Sequence, residues 1–223
     1  MQKTVLSLVG VFGISSGIAF AQSGPPKEAI DITNAQIKEV LKYAPPKVDQ
    51  TLRVIDMGNY ALSVAVVHRG PTAPAAGRGG RGGANAGGRG AAPANVERCG
   101  LSAAPAGAQM SPPGMIAHDK TVETYVVISG SGTLVTGGEI VNGTRSPADS
   151  EVTTILNGPS CSGRAAGNIV SRKLNVGDIS VIPAGVPHGW TDITDEVTYL
   201  SIRPDPDKVL QHGYVNPHLS ESR

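Results

Sequence analysis

Aromatic and charged residues are both scarce in this 223-residue chain. Phe, Trp and Tyr make up 4% of it, while Asp, Glu, Lys and Arg make up 17% and leave a formal net charge of +1. So small a charge gives no electrostatic reason to expect nucleic acid or an acidic surface as a partner. Glycine (29) and proline (17) are abundant instead, which favours many short strands and tight turns over a helical bundle.

Long hydrophobic runs are also missing, except for residues 5–18 near the N-terminus, and that run is too short to span a bilayer comfortably. Lys3 precedes it and Ala19-Phe20-Ala21 follows it, the pattern of a signal peptide cleaved after Ala21. A buried N-terminal helix is the alternative. We predict an exported bacterial protein, periplasmic or secreted, in which no part of the mature chain 22–223 inserts in a membrane.

The chain has only two cysteines, Cys99 and Cys161. Export would place them in an oxidising compartment, where two cysteines with no odd thiol left over are expected to pair. A redox-active or metal-binding pair is the alternative, but the short C-x-x-C spacing typical of such pairs is absent. We therefore predict a structural disulfide.

Residues 22–50 are predicted to be an N-terminal extension that contains one short helix. Thr33 and Gln36 have the spacing of a capping box, and Ile37, Val40 and Leu41 fall on one helical face. We expect the helix to cover residues 34–43 and to end before the two prolines at 45 and 46.

Residues 51–205 are predicted to form one all-β domain, followed by a C-terminal tail at 206–223. Alternating apolar runs separated by Gly and Pro indicate strands at 51–56, 60–69, 124–128, 133–136, 169–174, 179–182 and 197–203, and Gly137-Gly138 predicts a turn that ends the fourth of these strands. Residues 70–97 are read as a flexible Gly-rich insertion. Residues 142–168 are read as an irregular insertion, with a possible added strand at 152–156. Because no internal repeat is visible, we expect a single barrel.

The Gly-rich insertion carries Arg78, Arg81 and Arg89 among glycines, a composition also found in RNA-binding segments. Export and the modest number of arginines argue against that function. Its lack of large apolar residues prevents it from burying enough surface to offset the entropy of ordering. We interpret it as a surface loop.

Two motifs indicate the function. The first is HDKTVETYVVISG at residues 118–130, and the second is GDISVIPAGVPHGWTD at residues 177–192. Together they resemble the two motifs of the cupin superfamily, whose jelly-roll barrels place side chains from several strands on one inner surface. The resemblance covers roughly residues 51–205 and implies an all-β cupin barrel with a short N-terminal helix.

The resemblance implies that His118, Glu123 and His188 bind one divalent transition metal. Iron or manganese is expected first, with zinc, nickel or cobalt as alternatives, because imidazole nitrogens and one carboxylate suit all of them. The chain departs from the family pattern at Ile116, where the first motif histidine would fall, and at Asp192, which replaces an asparagine. A barrel that has lost its metal is the competing interpretation.

Other residues are candidates for catalysis or substrate contact. Tyr125 has the same strand parity as Glu123, so it is expected inside the barrel. His68 has the parity of Val64 and Val66 and could supply a fourth ligand or a general base, or simply bond to backbone or water at a strand end. Trp190 and Tyr199 could line a pocket or fill the core.

We expect a metal-dependent enzyme that acts on a small organic molecule, with an oxygenase-like reaction first and a lyase or isomerase reaction second. The alternative is a binding module for a small molecule or a metal, without turnover. Fold alone does not choose between them. The expected partners are a small-molecule ligand and, by resemblance, a second copy of the chain in a homodimer, with no nucleic acid.

Overall fold

The computed structural model describes residues 24–72 and 96–219, so the predicted signal peptide and most of the Gly-rich insertion, with its arginines, lie outside the described residues. These two ranges contain one α-helix, α1 (Asn34–Leu41), and one short π-helix (Val152–Leu156). The strands are β1 (Asp49–Asp56), β2 (Ala61–Arg69), β3 (Arg98–Cys99), β4 (Met115–His118), β5 (Glu123–Arg145), β6 (Ser160–Asn175), β7 (Ile179–Ile182), β8 (His188–Thr191) and β9 (Val197–Asp205).

Helix α1 begins with the predicted capping box. The Thr33 side chain accepts from the Gln36 backbone N–H, and the Gln36 side chain accepts from the Thr33 N–H. The helix ends at Leu41, two residues before the predicted end. Val40 packs with Leu52 and Val66 on the outside of β1 and β2, so the helix shields one face of the barrel.

Strand β5 connects the two sheets of the barrel because it contributes pairing to both of them. Its first part pairs antiparallel with β9 and β7, and its second part pairs antiparallel with β6 and β8. Gly130 lies at the crossing with φ +67°, and a Cβ there would lie 2.0 Å from the Glu196 carbonyl oxygen. Only glycine fits so close an approach in this backbone conformation.

The two sheets enclose the main core. Strand order in the connected sheet is β1-β2-β9-β5-β6-β4-β8, and β8 also pairs with β5. The core contains buried side chains from both sheets: Val67, Tyr125, Val127, Leu134, Leu174, Ile182, Trp190, Ile193, Val197 and Tyr199. The prediction of an all-β barrel with a short N-terminal helix is confirmed.

Three predictions about these strands are wrong in whole or in part. The glycines at 137 and 138 were expected to form a turn, but β5 continues through them with a bulge between Gly137 and Glu139. Residues 142–168 are only partly irregular, since β5 runs to Arg145 and β6 begins at Ser160. Val152–Leu156 is a π-helix and not a strand. The β5–β6 ladder is long and partly exposed, so its polar residues resemble those of a loop.

The predicted disulfide between Cys99 and Cys161 is present, and it links β3 to β6. Both sulfurs lie in a second buried cluster with Met115, Ala117 and Val135, outside the barrel core. Within the described ranges, no helix is both long and apolar enough to cross a membrane.

Candidate metal centre

Three strands bring the predicted metal ligands together. His118 ends β4, Glu123 begins β5 and His188 begins β8. All three are buried, and one potential ligand atom from each lies within 4.8 Å of the other two. Closure of the barrel therefore brings the candidate ligands of the two sequence motifs into a single cluster.

Hydrogen bonds on the far side of each imidazole determine which nitrogen faces the cluster. His118 Nδ1 lies 2.8 Å from Ser160 Oγ, and Ser160 Oγ donates its own proton to the Gly158 carbonyl. His188 Nδ1 lies 3.0 Å from the Val186 carbonyl oxygen, which can only accept. Both Nδ1 atoms therefore carry the proton in the neutral rings, and both Nε2 atoms present a lone pair.

These lone pairs meet at one carboxylate oxygen. Glu123 Oε2 lies 3.1 Å from His118 Nε2 and 2.8 Å from His188 Nε2. Three electron-pair donors this close repel one another unless a proton or a cation lies among them. The donor set of two imidazole nitrogens and one carboxylate oxygen fits a divalent transition metal.

The other carboxylate oxygen of Glu123, Oε1, accepts hydrogen bonds on the side away from the histidines. Oε1 accepts from Arg203 Nε at 2.7 Å and from Ser201 Oγ at 2.9 Å. Arg203 also donates to Asp49 Oδ2 at 2.7 Å and to the Leu156 carbonyl oxygen at 3.0 Å. Glu123 is thus oriented so that Oε2 alone faces the histidines.

The electrostatics keep these groups in the protonation states that metal binding needs. Burial by itself would raise the pKa of Glu123, but the charge of Arg203 opposes burial and helps to hold this pKa well below its usual value. Burial lowers the pKa of His118, although Glu123 opposes this. A deprotonated carboxylate beside a neutral imidazole is the form in which both can bind a cation.

Ile116 lies on the same face of β4 as His118 and pairs with His188 across the ladder. Its neighbours Met115 and Ala117 belong instead to the outer cluster around the disulfide. An apolar side chain therefore stands where the family pattern has its first histidine.

The two candidates for catalysis lie in different places. Tyr125 Oη donates to Glu123 Oε2 at 2.8 Å, so this phenol contacts the cluster directly. His68 lies outside the cluster, with Nδ1 2.8 Å from Thr198 Oγ1 and 3.5 Å from Glu196 Oε2. Val67, one residue earlier, is the β2 side chain that enters the main core, so His68 lies on the opposite face, where it bonds to side chains near the end of the strand.

Sequence reasoning missed Arg203, Ser201, Asp49 and Ser160. A signal was available for the first two, since Tyr199, Ser201 and Arg203 alternate along β9 as buried positions. An arginine on the inward face of a strand needs a buried partner. The contacts of Asp49 and Ser160 depend on strand pairing and have no such local signal.

No family model matches the chain, and no curated protein matches it. Among solved structures, an uncharacterized protein with a double-stranded β-helix domain from Klebsiella pneumoniae overlaps 82% of this chain and 94% of its own, at 14% identity and a TM-score of 0.36. A protein from Bacillus halodurans overlaps 87% of this chain and 91% of its own, at 10% identity and a TM-score of 0.37. An oxalate oxidase in complex with the substrate analogue glycolate overlaps 73% of this chain and 54% of its own, at 13% identity and a TM-score of 0.32.

Likenesses of this degree identify neither an activity nor a substrate. The topology and the cluster of this chain define its class as a cupin-type barrel with a buried His–Glu–His cluster able to bind a metal.

Proposed function

We propose that this chain is a metalloprotein that holds one divalent transition metal, iron or manganese in the first place, on His118, Glu123 and His188. The observation that carries the proposal is the convergence of two imidazole lone pairs on Glu123 Oε2 inside the barrel. We further propose that it is an enzyme acting on a small organic molecule, oxygenase-like first and a lyase or isomerase second.

When bound, such a metal supplies Lewis acidity and open positions for substrate, and iron also supplies O₂ chemistry. The residues of the chain have separate tasks. Burial and the charge of Glu123 raise the pKa of Tyr125 well above its usual value, so its phenol stays protonated and can hold a proton beside Glu123 Oε2. Tyr125 adjoins His188 and packs with Trp190 and Tyr199 in the buried core, so this side of the cluster is bounded by aromatic side chains.

The alternative function is binding without turnover, which the apolar Ile116 favours because it removes one family ligand. Candidate substrates incubated with the metal-loaded protein in air and under nitrogen separate the two functions. Product that forms only in air supports an oxygenase, and product in both supports a lyase or isomerase. Saturable binding with no product in either supports the binding module.

We also propose export to the periplasm or the medium, and assembly as a homodimer. The disulfide suits an oxidising compartment. Three exposed apolar side chains on the outer face of β5 and β7, Ile128, Ile179 and Val181, offer a surface for a second copy.

The metal content of the purified protein, produced without a histidine tag and dialysed against a weak chelator, tests the metal site. We expect about one equivalent of iron or manganese by elemental analysis. Each of the variants His118→Ala, Glu123→Ala and His188→Ala should lose it, because two remaining ligands hold a metal poorly against the chelator.

His68→Ala is the matched control, since it removes an imidazole that lies outside the cluster and should leave the metal content unchanged. Far-ultraviolet circular dichroism checks that each variant retains its strands. A folded His188→Ala or Glu123→Ala protein with a full metal complement would show that the ligands are assigned wrongly. No uptake by the parent protein on reconstitution would refute the metal site.

Ser160→Ala tests the support of His118. Losing the hydroxyl leaves Nδ1 without its acceptor, so the ring is less firmly oriented, and we expect metal affinity to fall about 10- to 100-fold. Competition with a fluorescent chelator measures this. Ser171→Ala, an exposed position on the same strand, should have no effect, and equal affinities for the two variants would rule out this role for Ser160.

A further inference from the structure

Three aromatic side chains form one cluster inside the barrel, next to the candidate metal centre. The ring centroids of Tyr125 and Tyr199 lie 4.3 Å apart, and that of Trp190 lies 5.3 Å from Tyr199 and 6.4 Å from Tyr125. Tyr125 meets His188 edge-on at 6.1 Å, so the cluster adjoins a predicted metal ligand. We call Tyr125, Trp190 and Tyr199 the aromatic cluster.

Two donors of this cluster have no acceptor in the described part of the chain. Trp190 is 5% exposed, and its Nε1–H is buried without a hydrogen-bond partner. Tyr199 Oη accepts from Arg69 Nε at 3.0 Å, and no described group accepts the phenol proton. Burial raises the pKa of Tyr199, which keeps that proton in place. Buried donors in folded proteins normally have an acceptor, so these two donors are available to a ligand that brings acceptor atoms.

Arg69 adds positive charge at the same place. Burial would lower the pKa of its guanidinium, but contact with Tyr199 outweighs this and the group stays charged. An indole N–H, a phenol O–H and a nearby guanidinium are all donors, and none can accept in this arrangement. This end of the barrel interior therefore offers hydrogen-bond donors, whereas the His118–Glu123–His188 cluster offers acceptors.

We propose that Trp190, Tyr199 and Arg69 bind the carboxylate of a small organic acid, which is the ligand of this barrel. A carboxylate supplies acceptors for the Trp190 indole N–H and the Tyr199 phenol O–H and a charge opposite to that of Arg69, and its apolar body suits the aromatic surroundings. The identification of this acid as the substrate rests on the proposed function, whereas the carboxylate site itself depends only on side chains described above. Inorganic phosphate shares the charge but has no apolar body to contact the rings.

The single tryptophan of the chain makes the test direct, because a ¹⁵N-labelled sample has one indole N–H resonance. Propionate is titrated into protein freed of metal with a chelator, alongside its neutral match propionamide and inorganic phosphate. We expect a saturable downfield shift of the Trp190 indole resonance with propionate and none with propionamide. No shift with propionate, or an equal shift with propionamide or phosphate, overturns the proposal.

Tyr199→Phe keeps the ring and removes the donor, so it should weaken propionate binding about tenfold or more. Tyr60→Phe makes the same chemical change outside the aromatic cluster and should leave binding unchanged. Binding that is equal in both variants overturns the role of Tyr199 and the site built on it. Metal content is measured on the parent protein separately. A shift without metal uptake refutes only the metal centre, and metal uptake without a shift refutes only the carboxylate site.

Discussion

Arg203→Met should lower the free energy of unfolding by about 3–5 kcal/mol, the largest single-site effect that we expect. Arg203 is 1% exposed and lies between two carboxylates, with Glu123 Oε1 and Asp49 Oδ2 each at 2.7 Å. Burial alone would lower its pKa, but these two charges raise it above its usual value, so it stays charged. Removing it leaves two buried negative charges without their partner. Chemical denaturation in the presence of a chelator measures the effect.

Arg172→Met is the matched control for this prediction. Arg172 is exposed on β6, so its loss should change stability by no more than about 0.5 kcal/mol. Arg203→Lys should fall between the two, because an ammonium keeps the charge but cannot bridge both carboxylates as a guanidinium does. Equal stabilities for the Arg203→Met and Arg172→Met proteins would mean that the buried ion pairs contribute nothing.

Reduction of the Cys99–Cys161 disulfide should lower the free energy of unfolding by about 4 kcal/mol. The two cysteines are separated by 62 positions in the sequence, so opening the loop gives the unfolded chain much more conformational freedom. Denaturation curves recorded with and without a dithiol in the folded range measure the difference.

The Cys99→Ala, Cys161→Ala double variant is the control, since it has no disulfide to reduce. Its stability should match that of the reduced parent protein and should not respond to the dithiol. If the denaturation midpoint of the parent protein is the same with and without the dithiol, the disulfide does not contribute to stability.

Much of the site was predictable because its ligands sit in two short motifs. His118 and Glu123 lie five positions apart, and the proline and glycines around His188 make its motif distinctive. Tyr125 followed from strand parity, which holds along β5 as buried positions at 123, 125 and 127. Parity alone does not identify the role of His68, because the face of β2 that carries Val64 and Val66 is covered by α1 and does not line the barrel interior.

The ends of elements were predictable only where a local signal exists. The capping box located the start of α1, and the alternation of Ile179–Ile182 located β7. Gly137 and Gly138 were expected to end a strand, yet β5 only bulges there, because pairing with β6 continues on both sides. Glycine permits a turn without requiring one, and the partner strand decides.

The sequence by itself predicted the barrel class and the candidate metal ligands, because two short motifs resemble those of the cupin superfamily, and it predicted the disulfide, because the chain has only two cysteines. Tertiary structure alone decided that Arg203 and Asp49 hold Glu123 in place, since positions 49, 123 and 203 meet only when β1, β5 and β9 pack together. It also decided that, among the residues that the structure describes, the Trp190 indole N–H and the Tyr199 phenol O–H have no acceptor. Whether a buried donor has an acceptor depends on which groups pack around it in three dimensions, so the sequence alone does not predict it.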